Sequence, residues 1–128
     1  MNKIVIDATK EKIFLTIIKD NSTHNISYDN SKTNYERLIV LIDEFLKTKD
    51  LKIDDIHAFY VNRGPGSFAG IRNSLSTVKA INLAKKIDYY CYSLDDFAHE
   101  NQIFNENIPN LCEKFKIKKN LINPIYLS

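Results

Sequence analysis

Apolar runs separated by polar turns occupy the first thirty residues, and this pattern predicts three consecutive β-strands. Residues 3–7 form a short apolar run that is typical of a central strand. Residues 12–19 carry apolar side chains on both faces, because Phe14 and Ile18 alternate with other apolar residues, so we expect this strand to be covered on both sides. Residues 23–28 are more polar and predict an edge strand.

The spacing of apolar residues changes to that of a helix after a polar break at residues 30–33. Ser31 or Thr33 suits the N-cap, and Thr33 has Glu36 three residues later, as in a capping box. The helix is predicted to run to about residue 48, with one stripe that must be buried: Leu38, Leu41, Ile42, Phe45 and Leu46.

Residues 56–61 predict a fourth strand, residues 71–85 a second long helix, and residues 88–92 a fifth strand. Ser93 is placed to cap a short helix, and the periodicity fades from His99 onward. This order of elements predicts an α/β fold in which helices pack on a mixed five-stranded sheet. The second long helix is apolar on two sides, which predicts contacts with the sheet and with another helix or subunit: Ile71, Leu75 and Val78 on one side, and Ala80, Leu83, Ala84 and Ile87 on the other.

Composition narrows the class of protein. The chain has 128 residues, 44% of them hydrophobic and 27% charged, which fits one ordinary globular domain. Its net charge of +2 is too small to favour strong nucleic-acid binding by the chain alone. Cys91 and Cys112 match no metal or redox spacing and are predicted to be reduced structural thiols. No signal peptide or membrane span is visible, so the cytoplasm is the expected compartment.

All three glycines lie in residues 63–72, between the fourth predicted strand and the second long helix. A glycine-rich turn before a helix gathers backbone N–H groups that can bind an anion or accept the close approach of another chain. Arg63 and Arg72 flank the loop and suit a phosphate, a carboxylate or acidic residues of a partner. We therefore predict either a site or an interface hinge, formed by Arg63, Gly64, Pro65, Gly66, Ser67, Gly70 and Arg72.

Known phosphate-binding and nucleophile motifs do not fit this loop. The P-loop lysine is absent, and Ser67 stands one position away from the serine of a nucleophile elbow. Ser67 is therefore predicted to cap the following helix. A serine hydrolase using Ser67 is kept as an alternative, although His24, His57 and His99 have no local signature of a catalytic base.

Two other polar clusters are candidate sites. Asp7 ends the first strand, but residues 8–10 contain no glycine, so a turn-capping or buried Asp7 is favoured over a phosphate site. A basic run near the end of the chain could contact RNA phosphates. A solvated face is favoured because no aromatic pattern accompanies these lysines: Lys114, Lys116, Lys118 and Lys119.

A longer motif carries a specific resemblance. Residues 62–72 and 76–80 resemble the signature Gly-Arg-Gly-Pro-Gly-Ser-Phe-Thr-Gly-Leu-Arg, then Ser/Ala-Thr-Ala-Lys-Gly, of the bacterial TsaB (YeaZ) family. Residues 4–9 resemble the family's Ile-Asp-Thr-Ser start, and residues 124–127 its closing Pro-x-Tyr-Leu-Arg, from which Ser128 departs. The resemblance implies an actin-like (ASKHA, ribonuclease-H-like) lobe.

The resemblance also implies a function. Members of this family are noncatalytic scaffold subunits of the complex that forms N6-threonylcarbamoyladenosine beside the tRNA anticodon. A TsaB-like chain would bind and activate a TsaD-like catalytic paralogue, and a TsaE-like ATPase would join them. The partners, and not this chain, would use ATP and metal. The chain would contact tRNA only through the complex, and it would not contact a membrane. An older label for the family is glycoprotease-like peptidase.

Full-length members of the family have a second lobe. We therefore expect residues 1–98 to form the actin-like N-terminal lobe and residues 99–128 a reduced remnant of the second. Asn34 stands where the catalytic paralogue has a metal-binding histidine, so metal binding is not expected. The two long helices are predicted to bind the paralogue, or a second copy as a homodimer, through Leu38, Leu41, Ile42, Phe45, Ile71, Leu75 and Val78. A tRNA-binding accessory module that acts through residues 114–119 is a further alternative.

Overall fold

A computed structural model describes residues 1–98 and 100–126 of the chain. His99, considered above as a catalytic base, and Leu127 and Ser128, at the end of the closing motif, lie outside the described residues.

Five strands form one mixed sheet: β1 (Asn2–Asp7), β2 (Lys12–Lys19), β3 (Ser22–Asp29), β4 (Ile56–Asn62) and β5 (Asp88–Tyr92). Their order across the sheet is β3-β2-β1-β4-β5. The first three strands are antiparallel neighbours, whereas β4 runs parallel to both β1 and β5. The predicted mixed five-stranded sheet is confirmed, with strand ends that differ from the predicted ones by one residue at most.

The described residues contain four α-helices: α1 (Lys32–Tyr35), α2 (Leu38–Lys47), α3 (Phe68–Lys85) and α4 (Ile108–Lys114). Short 3-10 turns lie at Ile53–Asp55, Leu94–Asp96 and Asn105–Asn107. No helix in this part of the chain is long and apolar enough to cross a membrane.

The first predicted long helix is broken in two, which corrects the sequence prediction. Ser31 caps α1, its hydroxyl accepting a hydrogen bond from the Asn34 N–H at 3.4 Å, whereas Thr33 lies inside α1 and forms no capping box. Arg37 then leaves helical geometry with φ −120° and ψ 32° before α2 begins. The physical reason is burial: α1 has no buried residue, and the apolar stripe that packs on the sheet begins at Leu38.

Each face of the sheet has its own apolar core. Ile4 and Ile6 of β1 face the core beneath α2 and α3, whereas Val5 faces the core beneath α4. The expectation that β2 is covered on both faces is wrong at Phe14, which is 42% exposed. The short α4 and its flanking segments reach Ile18 of β2 but leave Phe14 uncovered.

Both cysteines are free and buried, as predicted, and their protonation gives the first testable prediction. Burial raises the pKa of the Cys91 and Cys112 thiols to about 12. Because the thiolate is the reactive form, we expect a thiol reagent at pH 8 to label the native protein at least about 100-fold more slowly than a cysteine peptide. The pKa values are higher in the folded state, so the stability gained is complete below pH 9 and is lost as the pH rises toward 12.

The labelling rate can be followed by absorbance, with the protein in 8 M urea as the control for accessible thiols. Rapid labelling of one thiol per chain in native buffer would contradict the buried placement of that cysteine.

Candidate functional site

The glycine-rich loop lies at the carboxyl end of β4, where the carboxyl ends of β1 and β5 also meet. In open α/β sheets this edge is the usual place for a ligand. The contacts of each loop residue therefore decide whether the loop is free to bind one.

Asp7 uses both carboxylate oxygens inside the chain. Oδ1 accepts hydrogen bonds from the N–H and the hydroxyl of Thr9, at 3.1 and 2.7 Å. Oδ2 accepts one from the Asn62 side chain at 3.1 Å, and Asn62 Oδ1 in turn accepts the Gly64 N–H at 3.0 Å. The turn-capping interpretation of Asp7 is confirmed, and the same carboxylate connects the β1 turn to the glycine loop.

The loop packs against other segments of its own chain. A Cβ atom on Gly70 would collide with the carbonyl oxygen of Ala8, and one on Gly66 with the carbonyl of Thr9. Gly64 has a φ of +115° and lies against the carbonyl of Ile125. The exposed Pro65 follows it in a cis peptide bond. The glycines thus serve close packing within the chain.

Several loop N–H groups that could have bound an anion are used internally. The Ser67 N–H donates to the Thr9 carbonyl at 2.7 Å, and the Arg63 N–H donates to the Tyr92 carbonyl at 2.6 Å. The Gly64 and Gly70 N–H groups donate to side chains of the loop and its preceding strand. These N–H groups are therefore not free to bind an anion at the loop.

Ser67 is the N-cap of α3, as predicted. Its hydroxyl accepts a hydrogen bond from the Gly70 N–H at 3.3 Å. His57 lies at the amino end of β4, opposite to the loop, and His24 lies in the edge strand β3. No histidine in residues 1–98 or 100–126 is hydrogen-bonded to Ser67, so no base for a serine nucleophile is found there.

The two arginines that flank the loop have different surroundings. Arg63 forms a bidentate contact with Asp96, with Nη2 at 2.8 Å from Oδ1 and Nε at 3.3 Å from Oδ2. The two side chains are only 16% and 22% exposed, and Arg63 Nη1 also donates to the Asn123 carbonyl. Arg63 is thus used inside the chain, whereas Arg72 is exposed on α3.

The segment after α4 also belongs to this region, and sequence reasoning missed it. The Ile125 N–H donates to the Arg63 carbonyl at 2.7 Å, and the ring centroids of Phe68 and Tyr126 are 4.6 Å apart. No local pattern in this segment predicts its placement, because its contacts are with residues about 60 positions away in the chain.

The seven residues predicted to bind a partner lie in the chain's own core, which corrects that assignment. They are at most 5% exposed and pack between the helices and the sheet: Leu38, Leu41, Ile42, Phe45, Ile71, Leu75 and Val78. A helical stripe predicts burial, but it does not say whether the burial is inside the chain or at an interface.

The outer surface of α2 and α3 carries a different set of apolar residues. A groove with a volume of about 470 Å³ runs between them and is lined mainly by apolar and small polar side chains: Tyr35, Ile39, Ile53, Thr77, Ala80 and Ala84. Ile39 and Val40 are each 41% exposed, and Leu83 is 74% exposed. The second apolar side predicted for α3 is therefore exposed at Ala80, Leu83 and Ala84, whereas Ile87 is buried.

The basic run near the end of the chain does not form one free patch. Lys114 Nζ lies 2.7 Å from Glu100 Oε1, and Lys119 Nζ lies 3.7 Å from Asp88 Oδ2. Among the residues that the structure describes, no group of three His, Cys, Asp or Glu side chains is placed to hold a metal ion.

The amino-acid sequence matches the model of a known protein family. The model of the family described as TsaD: tRNA N6-adenosine threonylcarbamoyltransferase matches residues 26–114, well over half of the chain. The chain belongs to this family. Within it, the curated relatives that the chain resembles are TsaB proteins, which confirms the TsaB (YeaZ) resemblance.

The chain resembles the tRNA threonylcarbamoyladenosine biosynthesis protein TsaB of Buchnera aphidicola subsp. Baizongia pistaciae. The two are 23% identical, over 67% of this chain and 39% of the Buchnera protein. The protein of the same name from Haemophilus influenzae is 28% identical over 54% of this chain and 29% of its own. The TsaB-family chain thus spans well under half of the relatives it matches.

Solved structures support the same fold. YeaZ from Pseudomonas aeruginosa aligns with a TM-score of 0.66 at 18% identity, over 76% of this TsaB-family chain and 46% of YeaZ. Thermus thermophilus RuvC, in a complex with a Holliday junction substrate, aligns with a TM-score of 0.51 at 14% identity, over 77% and 71% of the two chains. The expected actin-like, ribonuclease-H-like fold is confirmed.

Proposed function

We propose that this chain is a noncatalytic subunit in the formation of N6-threonylcarbamoyladenosine in tRNA, and that it binds and activates a TsaD-like catalytic paralogue through the groove between α2 and α3. The observation that carries the proposal is the apolar lining of this groove, at Ile39, Ala80 and Ala84, with Ile39 41% exposed. The TsaB names of its relatives indicate the pathway.

The chemistry of the groove suits a protein partner. Its lining is mainly apolar, and two charged side chains, Glu36 and Lys85, also line it. Protein interfaces typically have apolar anchor residues at the centre and polar residues around the rim. A helix of a paralogue with the same fold has the shape to lie in such a groove, because helices pack by inserting side-chain ridges into grooves.

The glycine loop supports a scaffold role in another way. Its arginine Arg63, its serine Ser67 and the neighbouring carboxylate of Asp7 are all bound to other residues of the chain. These polar groups hold the start of α3 in place and so fix one wall of the groove. The ATP and metal of the reaction are assigned in this proposal to the TsaD-like and TsaE-like partners, with tRNA reached through the complex.

The test is reconstitution of tRNA threonylcarbamoylation with the cognate catalytic subunit and accessory proteins, with and without this chain. We expect product only when the chain is present, and an equal rate with Ser67→Ala. That variant should lose about 1 kcal/mol of stability with its helix cap. Loss of product with Ser67→Ala, while folding and binding stay intact, would contradict the noncatalytic role, and a peptidase activity of the chain that Ser67→Ala abolishes would favour the serine hydrolase alternative.

The groove itself is tested by Ile39→Asp, for which we expect at least tenfold weaker binding to the catalytic subunit. A tenfold change is about 1.4 kcal/mol, a typical cost for a charge placed in the apolar centre of an interface. Phe14→Asp is the matched control, because Phe14 is 42% exposed, close to the 41% of Ile39, and lies on β2 away from the groove. Binding can be measured by calorimetry.

Equal binding by wild type and Ile39→Asp would reject the groove as the interface. If the wild type forms a homodimer that Ile39→Asp dissociates, while heterodimer formation is unchanged, the groove serves a second copy instead. The division into an N-terminal lobe at residues 1–98 and a remnant second lobe at residues 99–128 stays a prediction.

A further inference from the structure

A second cleft lies on the opposite face of the sheet from the groove, between the strands and the end of α4. Its volume is about 390 Å³, and it is lined largely by polar and charged side chains that come from β1, β4, β5, α4 and the segment that follows α4: Lys3, His57, Tyr60, Tyr90, Glu113 and Lys116. The proposed function uses none of these residues.

Tyr60 is the most unusual group in this cleft. It is only 6% exposed, and its ring stacks on that of Tyr90 with centroids 5.0 Å apart and an angle of 9° between the planes. No hydrogen bond joins its hydroxyl to another residue in the described part of the chain. Burial raises the pKa of Tyr60 well above its usual value, so the hydroxyl stays a hydrogen-bond donor. The hydroxyl oxygen is not among the buried unpartnered side-chain atoms of the described residues, so it is accessible from the cleft and can donate to a ligand or to water.

Two lysines in the cleft also lack an ion pair. No carboxylate among the described residues lies within 4.0 Å of the ammonium group of Lys3 or Lys116, whereas the nearby Lys114 and Lys119 each have an acidic partner. Two unneutralised positive charges that line one partly enclosed cleft attract an anion more strongly than either would alone.

The remaining polar groups do not cancel this attraction. Three carbonyls in the last turn of α4, those of Leu111, Cys112 and Glu113, accept hydrogen bonds from the backbone N–H groups of residues 115–117. Glu113 carries the one negative charge among the described lining residues. The lining therefore has net charge +1 with His57 neutral, from two lysines and one glutamate.

We propose that this cleft binds a phosphate group, held by the ammonium groups of Lys3 and Lys116 and by the hydroxyl of Tyr60. Phosphate fits better than a carboxylate, because it carries up to two negative charges and presents several acceptor oxygens to three donors. The proposal does not depend on the proposed function, since the cleft and the groove lie on opposite faces of the sheet.

The test is titration of the isolated chain, followed by NMR chemical shifts, with three phosphate-bearing probes: inorganic phosphate, adenosine monophosphate and a ten-nucleotide single-stranded RNA. Acetate at equal ionic strength is the control anion. We expect saturable shifts centred on residues 3, 60, 90 and 116. Lys3→Gln and Lys116→Gln should each weaken binding at least about fivefold, and Glu113→Gln should tighten it. Lys79→Gln, an equal charge change on the exposed side of α3, is the matched control.

The three probes distinguish the source of the phosphate. Equal affinity for phosphate and the nucleotide indicates a free anion, tighter binding of the nucleotide indicates a nucleotide ligand, and tighter, steeply salt-dependent binding of RNA indicates a nucleic-acid strand. Each of these results supports the site if the Lys3 and Lys116 variants lose the binding. Shifts spread over all surface lysines, equal binding of acetate, or equal loss in Lys79→Gln would overturn it.

Discussion

Replacing Gly70 by alanine is expected to destabilise the protein by about 2–3 kcal/mol, although alanine is the better helix former. In an exposed helix the same change would gain about 1 kcal/mol. At Gly70 the added methyl group would collide with the carbonyl oxygen of Ala8 and lie 2.6 Å from Asn30 Nδ2. The Asn30 amide also donates to the Ala8 carbonyl at 2.8 Å, so neither group can move aside without losing a hydrogen bond.

Urea unfolding measures this effect, with Ser76→Ala as the control at an exposed position of the same helix. We expect the control to stay within about 0.5 kcal/mol of the wild type. If Gly70→Ala were as stable as the wild type, α3 would not press on the turn after β1, and the close packing of the glycine loop against that turn would be refuted.

The second large effect is expected for Arg63→Met. This variant should lower the free energy of unfolding by about 3 kcal/mol, because it leaves the Asp96 carboxylate largely buried without its partner. Methionine keeps most of the apolar stem of the side chain, so the loss reports on the charge contact and not on packing. The Asp96 carboxylate also accepts the Ser93 N–H at 2.8 Å, and the 3-10 turn that follows β5 should loosen with it.

Lys47→Met is the matched control. Lys47 Nζ lies 2.8 Å from Asp43 Oδ2, the same distance as in the Arg63 and Asp96 pair, but the two side chains are 68% and 37% exposed. We expect Lys47→Met to lower the free energy of unfolding by less than about 0.5 kcal/mol, since exposed ion pairs contribute little to stability. Adding Asp96→Asn to Arg63→Met should recover part of the lost stability, because it removes the unpaired charge. Equal losses for both single variants would show that burial does not govern these pairs.

These two positions explain why a glycine loop with an arginine, a serine and a nearby aspartate need not be an active site. Each polar group has a partner within the chain: Arg63 with Asp96, Ser67 with the Gly70 N–H, and Asp7 with Thr9 and Asn62. The same contacts join β1, β4, β5 and the start of α3 at one edge of the sheet. A rigid edge of this kind holds α3 in the position that the groove requires.

Local pattern predicted most of the fold. The alternation in residues 2–29 and the apolar runs before and after the glycine loop placed all five strands, because the faces of a strand follow directly from its sequence. The N-caps at Ser31 and Ser67 were also local, since a cap depends on residues two or three positions away. The break between α1 and α2 was not predicted, because the helical spacing of the sequence continues through Arg37. At that position the chain has no apolar residue that could pack on the sheet.

The strands, the caps, the reduced thiols and the family could all be predicted from the amino-acid order, since each depends on neighbouring residues or on one continuous motif. Whether an apolar helix side is buried inside the chain or left for a partner could not be predicted in this way. Packing placed Leu38 and Ile71 in the core and left Ile39 and Ala80 outside, because the angle at which a helix lies on the sheet selects the buried side. Packing also brought Lys3 and Lys116 to one cleft, and this proximity of distant segments is encoded by no local pattern.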